Sequence, residues 1–137
     1  MTVKTASPAE TEALGADLAG ALRPGDVVLV SGELGSGKTT FVRGAVRALG
    51  VQGPVTSPTF TLAQRYDGGR APISHLDLHR LEGVDAEDAS LLGDEVGPDR
   101  IAFVEWPEVG DPGVGRVAAR VRLEHAGGDR RRVTVER

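Results

Sequence analysis

Nine consecutive residues could carry most of the chemistry in this chain: Gly32-Glu33-Leu34-Gly35-Ser36-Gly37-Lys38-Thr39-Thr40. They fit the pattern G-x-x-x-x-G-K-[ST], whose residue types suit the grip of a polyphosphate. A triphosphate brings several negative charges that must be held without water. Backbone N–H groups of a tight loop can surround the β-phosphate if no Cβ obstructs them, so Gly35 and Gly37 stand where the chain comes closest. Ser36 and Thr40 complete the run of candidate nucleotide-binding positions. Lys38 adds a full charge at the β/γ-phosphates, and the hydroxyl of Thr39 is the expected Mg²⁺ ligand.

Such a loop works only if a strand delivers it and a helix receives it. Val27-Val28-Leu29-Val30-Ser31 precedes it, a short apolar and β-branched run that predicts a fully buried strand. Thr39 to Leu49 follows, with Phe41, Val42, Ala45, Val46 and Leu49 at helical spacing and Gly50 placed to end the helix. The helix would point its positive dipole end at the same phosphates. Strand, glycine loop and helix together predict a nucleotide-binding P-loop.

Two acids are candidates for the metal side of the site. Ile101-Ala102-Phe103-Val104-Glu105-Trp106 repeats the buried-strand pattern and then presents a carboxylate, the Walker B arrangement. That strand should lie beside the P-loop strand, with Glu105 reaching Mg²⁺ directly or through water. Asp77 closes another apolar strand, Ile73 to Leu78, and reads as a functional acid against the alternative of a cap or salt-bridge partner. His75, Asp77 and His79 alternate along that strand, but no further ligand-rich cluster supports a zinc site. Trp106 reads as a packed aromatic unless it also covers the nucleotide. Glu108 could place water, although Pro107 obscures its direction. Thr56 to Thr61 is dense in hydroxyls and stays open between a γ-phosphate switch and a plain loop.

The remaining elements frame these groups. Ser7-Pro8-Ala9-Glu10 is a capping box with proline at the first helical position. The helix it starts should run to Leu22 and bury Leu14, Leu18, Ala21 and Leu22. Leu62 to Tyr66 and Ile73 to Leu78 flank Asp67-Gly68-Gly69-Arg70 and predict a hairpin. Residues 84–92 look like a short acidic helix with a solvated face. Val117 to His125 and Arg132 to Glu136 predict a second hairpin around Gly127-Gly128. Val117, Ala119, Val121 and Leu123 should share its inward face. The run Arg130-Arg131-Arg132 reads as a solvated edge that discourages aggregation.

A length of 137 residues predicts one domain, residues 1–137, long enough for a real core but short for an added lid. Sixteen Lys and Arg against twenty Asp and Glu leave a net charge of −4, which does not favour binding to bare nucleic acid. No cysteine is present, which excludes disulfides and thiolate metal sites. The N-terminus lacks an apolar signal core and no run approaches membrane-spanning length, so a cytoplasmic protein without membrane attachment is expected.

GELGSGKTTFVRG, SPTFTL, HLDLHRL and VEWPE, in that order, resemble the TsaE (formerly YjeE) family of ATPases. The resemblance covers Ser7 to about Gly110 and leaves the C-terminal hairpin unmatched. It implies a small α/β P-loop NTPase fold, with a mostly parallel sheet, antiparallel hairpins and flanking helices. It also implies weak ATP hydrolysis, stimulated within an assembly with TsaB and TsaD. That assembly makes threonylcarbamoyladenosine in tRNA, so tRNA would be met only through the complex. By the same resemblance Lys38 and Thr39 hold phosphates and Mg²⁺, and Glu105 belongs to the metal site. Asp77 and Trp106 match positions that matter for function, and Ser7, Pro8 and Glu108 match positions near the nucleotide. His79 stands where many members have tyrosine, which predicts a packing change only.

Two other classes compete. A small-molecule P-loop kinase needs an acceptor pocket and usually an arginine-bearing lid, yet Arg65, Arg70 and Arg80 are scattered around a short hairpin. A GTPase-like switch would suit the Thr56 to Thr61 loop, but no Asn-Lys-x-Asp stretch is present to read guanine. The ATPase reading leaves one gap, since no arginine can be placed beside the γ-phosphate. Slow hydrolysis alone and faster hydrolysis with the partner pair are therefore expected.

Overall fold

Among the described residues, nine elements follow one another: β1 (Thr2–Thr5), α1 (Pro8–Ala19), β2 (Asp26–Gly32), α2 (Lys38–Ala48), β3 (Ala63–Tyr66), β4 (Ile73–Asp77), β5 (Ile101–Trp106), β6 (Arg116–His125) and β7 (Arg131–Glu136). The structure is a computed structural model and describes residues 1–33, 35–55, 63–78, 95–106 and 116–137, the side chain of Trp106 aside. The loop at Thr56 to Thr61, the acidic segment at residues 84–92, His79 and Glu108 lie outside the described residues.

The strands form one sheet in the order β1-β7-β6-β2-β5-β4-β3. At its centre β6, β2, β5 and β4 run parallel, while β3 and the β7–β1 pair add antiparallel ladders at the two margins. This is the mixed α/β P-loop arrangement, with β5 beside β2 as the Walker pattern requires. The central strands are apolar runs because they are covered on both faces. Val28, Val30, Ile73, Ile101 and Phe103 join the larger core with α1 and α2; Val27, Leu29, Leu76, Ala102 and Val104 join a second cluster.

Helices α1 and α2 meet at backbone distance. A Cβ added at Gly44 would sit 1.9 Å from the Glu12 carbonyl oxygen, and one at Gly15 would sit 2.1 Å from that of Phe41. Glycine at both positions is what lets α1 press against α2, which starts at the loop. The C-terminus of α2 is closed by Gly50 N–H to the Arg47 carbonyl at 3.0 Å and Val51 N–H to the Val46 carbonyl at 3.3 Å. That paired bonding is a Schellman motif.

Four details differ from the expectations. Helix α1 stops at Ala19 rather than Leu22, because Gly20, Ala21 and Leu22 each donate to a carbonyl three residues back. The tighter turn keeps Leu22 buried and exposes Ala21. On β6, an irregularity in the pairing with β2 sets Val27 against Val117 but Val28 against Ala119. Val117 therefore packs with the second cluster, while Ala119, Val121 and Leu123 stay in the larger core. The strand β1 was not foreseen; it pairs Thr5 with Arg131 and covers the flank of β7. For that reason Arg131 is no solvated edge.

Candidate functional site

The loop residues converge at the C-terminal ends of β2, β4 and β5, where parallel α/β sheets place their sites. Gly35 and Gly37 take φ of +77° and +99°, a region closed to most side-chain-bearing residues. Gly37 is the N-cap of α2 and the helix has no side-chain cap. Its first N–H groups are thus left to whatever the loop holds, which suits an anion. Lys38 is buried and curls back over the loop, donating from Nζ to the Gly32 carbonyl at 2.6 Å and the Glu33 carbonyl at 3.4 Å. Ser36 is buried as well, and among the described residues its hydroxyl is the buried side-chain oxygen with no hydrogen-bond partner.

Thr39 and Glu105, 66 residues apart in sequence, meet across the site. The Thr39 hydroxyl donates to Glu105 Oε1 at 3.2 Å and lies 3.3 Å from Oε2. Glu105 is only 2 % exposed, and a carboxylate so buried needs partners. Thr39 supplies one and His75 the other, through a hydrogen bond between His75 Nε2 and Glu105 Oε2. His75 is itself buried, and its Nδ1 faces the Tyr66 hydroxyl at 3.3 Å, which in turn donates to Gln64 Oε1 at 2.7 Å. The pairing of His75 with Glu105 was not legible beforehand; two residues on neighbouring strands met only through the register. The same register sets Asp77 beside Glu105. The Thr39 hydroxyl and the Glu105 carboxylate are hard oxygen donors of the kind that suits Mg²⁺, at the head of a phosphate-type loop.

Other candidates stand further out. Ser7 caps α1, its Oγ accepting from Glu10 N–H at 3.2 Å, while Glu10 Oε1 reaches back past the cap residue and accepts from Ala6 N–H at 3.3 Å. One turn on, Thr11 faces the loop, with its Cγ2 3.9 Å from where a Cβ on Gly37 would lie. Pro8 opens the same helix. Thr40 lies in the first turn of α2 and is partly exposed. Trp106 ends β5 opposite Ser31. Away from the site, burial works against ionisation of Glu95, but hydrogen bonds from Arg65 and Ser74 and the charges of Arg65 and Arg100 outweigh it. Its carboxyl therefore titrates below the usual range.

An arginine that sequence reasoning assigned to solvent belongs here too. Arg131 donates from Nε to the Ser36 carbonyl at 3.0 Å and from Nη2 to the Gly35 carbonyl at 3.2 Å. No motif marks it, and only the sheet order brings it to the loop.

Comparison with known proteins bears on the family and the fold. A family model described as "Threonylcarbamoyl adenosine biosynthesis protein TsaE" matches residues 5–133, which reaches past Gly110 and through Arg131. A Bacillus subtilis protein named tRNA threonylcarbamoyladenosine biosynthesis protein TsaE is 36% identical over 132 residues, 96% of this chain and 82% of the relative. A Streptomyces coelicolor protein of the same name is 43% identical over 118 residues, 85% of this chain and 80% of the relative. Among solved structures, a crystal structure of YdiB from Bacillus subtilis superposes with a TM-score of 0.72 at 30% identity, covering 98% of this chain and 83% of that one. With the match running over nearly its whole length, the chain belongs to the TsaE family.

Proposed function

We propose that this chain serves tRNA threonylcarbamoyladenosine biosynthesis as a Mg²⁺-dependent, slowly hydrolysing ATP-binding protein, acting as one P-loop domain beside TsaB and TsaD in the cytoplasm. The role in that biosynthesis is the family's. The finer reading rests on one observation above the others: the Thr39 hydroxyl and the Glu105 carboxylate converge at the uncapped start of α2.

Each group then has a physical task. The loop N–H groups and Lys38 hold the phosphates, with Gly35, Ser36, Gly37 and Thr40 lining the cradle. Thr39 and Glu105 would hold Mg²⁺, which when bound neutralises charge on the phosphoryl oxygens. Asp77, next to Glu105 in the register, would orient water, or take the metal role if Glu105 proves structural. Ser7, Pro8, Trp106 and Glu108 belong to the nucleotide's surroundings by family resemblance. No helix among the described residues is long and apolar enough to cross a membrane.

Partner dependence rests on the sequence, in which no arginine can be assigned to the γ-phosphate. Arg131 stands beside the loop, but its guanidinium is engaged with four backbone contacts rather than held ready for a phosphate. An arginine supplied from outside is worth a factor of about 10³–10⁵. The test is ATP hydrolysis by the chain alone and with the TsaB–TsaD pair, with complex formation verified. Slow turnover alone and a clear rise on docking are expected; equal rates would reject the coupling.

A further inference from the structure

Two cations hold four described backbone carbonyls of the loop, two each. Lys38 takes those of Gly32 and Glu33 from within. Arg131 takes those of Gly35 and Ser36 from the side of the C-terminal hairpin. We infer that Arg131 is a positioning residue for the phosphate loop: its guanidinium locks two successive peptide planes, which turns the Gly37 N–H toward the ligand and keeps the Ser36 N–H in the loop's own turn. The inference rests on the reading of this loop as a phosphate cradle.

The guanidinium is itself pre-aimed. Its Nη1 donates to the Gly128 carbonyl at 2.7 Å and to the Arg130 carbonyl at 2.8 Å, within the turn that joins β6 to β7. With that end tied down, the Nε/Nη2 edge has one orientation, and a planar fork suits two neighbouring oxygens. The backbone beneath it is equally constrained, since Arg131 pairs with Thr5 on one side and His125 on the other. Thr5 Oγ1 lies 2.8 Å from Thr11 Oγ1, and Thr11 closes on Gly37. The loop is therefore backed by a wall made of β7, β1 and the start of α1.

The consequence for the loop is elementary. In a trans peptide the carbonyl and the following N–H point in opposite directions. Holding the Ser36 carbonyl toward the hairpin directs the Gly37 N–H away from it, to the inner side of the loop. Holding the Gly35 carbonyl fixes the Ser36 N–H in turn, which donates to the Glu33 carbonyl at 3.0 Å and closes the turn that shapes the loop. At Gly35 and Gly37, glycines with positive φ, the peptide planes have the least intrinsic resistance to flipping. An external clamp matters most there. The Lys38 ammonium has a third N–H to offer a phosphate, and Arg131, facing the loop from behind, can keep both of its loop acceptors throughout.

The test uses the full chain with Arg131→Gln, Arg131→Lys and, as a control on the same hairpin, Arg132→Gln. ATP·Mg²⁺ affinity is measured by calorimetry, and amide hydrogen exchange of residues 33–40 is measured without nucleotide. Arg131→Gln should weaken ATP by about tenfold, the low end of what one hydrogen bond to a charged group is worth, and should speed exchange in the loop. Arg131→Lys should recover little, because an ammonium keeps the charge but not the fork. Arg132→Gln should leave both readouts at the wild-type level. The inference is overturned if Arg131→Gln leaves exchange unchanged, if Arg131→Lys restores full affinity, or if Arg132→Gln costs as much. If the wild type binds no ATP, the nucleotide reading fails, and the exchange data alone still decide whether Arg131 holds the loop.

Discussion

The centre of the sheet and its C-terminal arm contribute to one loop in different ways. Strands β2, β4 and β5 bring the reactive groups, each from the carboxyl end of a buried parallel strand. Their geometry is local: a strand stops, the loop or acid follows, and the neighbouring strand repeats the pattern. The arm of β6, β7 and β1 is antiparallel, carries no motif, and delivers one guanidinium to the back of the loop. Chemistry placed at strand ends can be supplied by short motifs. Rigidity behind a loop has to come from elsewhere in the chain, because a glycine-rich loop cannot stiffen itself.

That contrast can be broken at either region. The largest effect belongs to Lys38→Ala, which removes the full charge built into the loop and should abolish productive ATP binding by calorimetry in a folded protein. Unchanged affinity and turnover would remove the phosphate role from the centre altogether.

Next comes Glu105→Gln, expected to lower Mg²⁺-dependent turnover by about 10²–10³ while leaving much of the ATP affinity. Glutamine is the sharper choice, because alanine would leave His75 buried without its partner at a cost of about 1–3 kcal/mol. Normal hydrolysis by Glu105→Gln would make this acid structural and hand its role to Asp77.

In the arm, Val133→Ala should act on stability. Val133 is buried in the larger core, and removing two methyl groups should cost about 1.5–2 kcal/mol in denaturant titration. At saturating ATP and low temperature the surviving folded protein should turn over as wild type. A loss of turnover at unchanged stability would mean that the whole arm, rather than Arg131, is tied to chemistry.

The smallest effect concerns Glu95. Its folded pKa is lowered, so the stability it contributes is present above the ordinary carboxylate range and fades as pH falls through the folded value. Glu95→Gln should cost about 1 kcal/mol at neutral pH, and the gap from wild type should close on acidification. A gap that persists at the acid end would assign the effect to packing.

Much of the centre was legible in advance. Val27 to Ser31 and Ile101 to Trp106 read as buried strands because both faces are covered, and the glycine pattern between strand and helix has few other uses. The helix cap at Ser7 and the turn at Gly127-Gly128 were equally plain, since each depends on residues a few positions apart. In the arm the hairpin was legible too, but its register against the rest of the sheet was not. The irregularity that moves Val117 to the other face breaks a period of two without any marker in the residues themselves.

By itself the sequence determined which groups could do chemistry and which local element would carry each, because hydrophobic period, caps and loop residues act over a turn or a strand. It could not say that His75 would meet Glu105, 30 residues away, or that Arg131 would reach Ser36 across 95. Those contacts follow from strand order and register. Both are set by how the whole chain buries its core, a sum over many weak interactions in which no single residue type announces its partner.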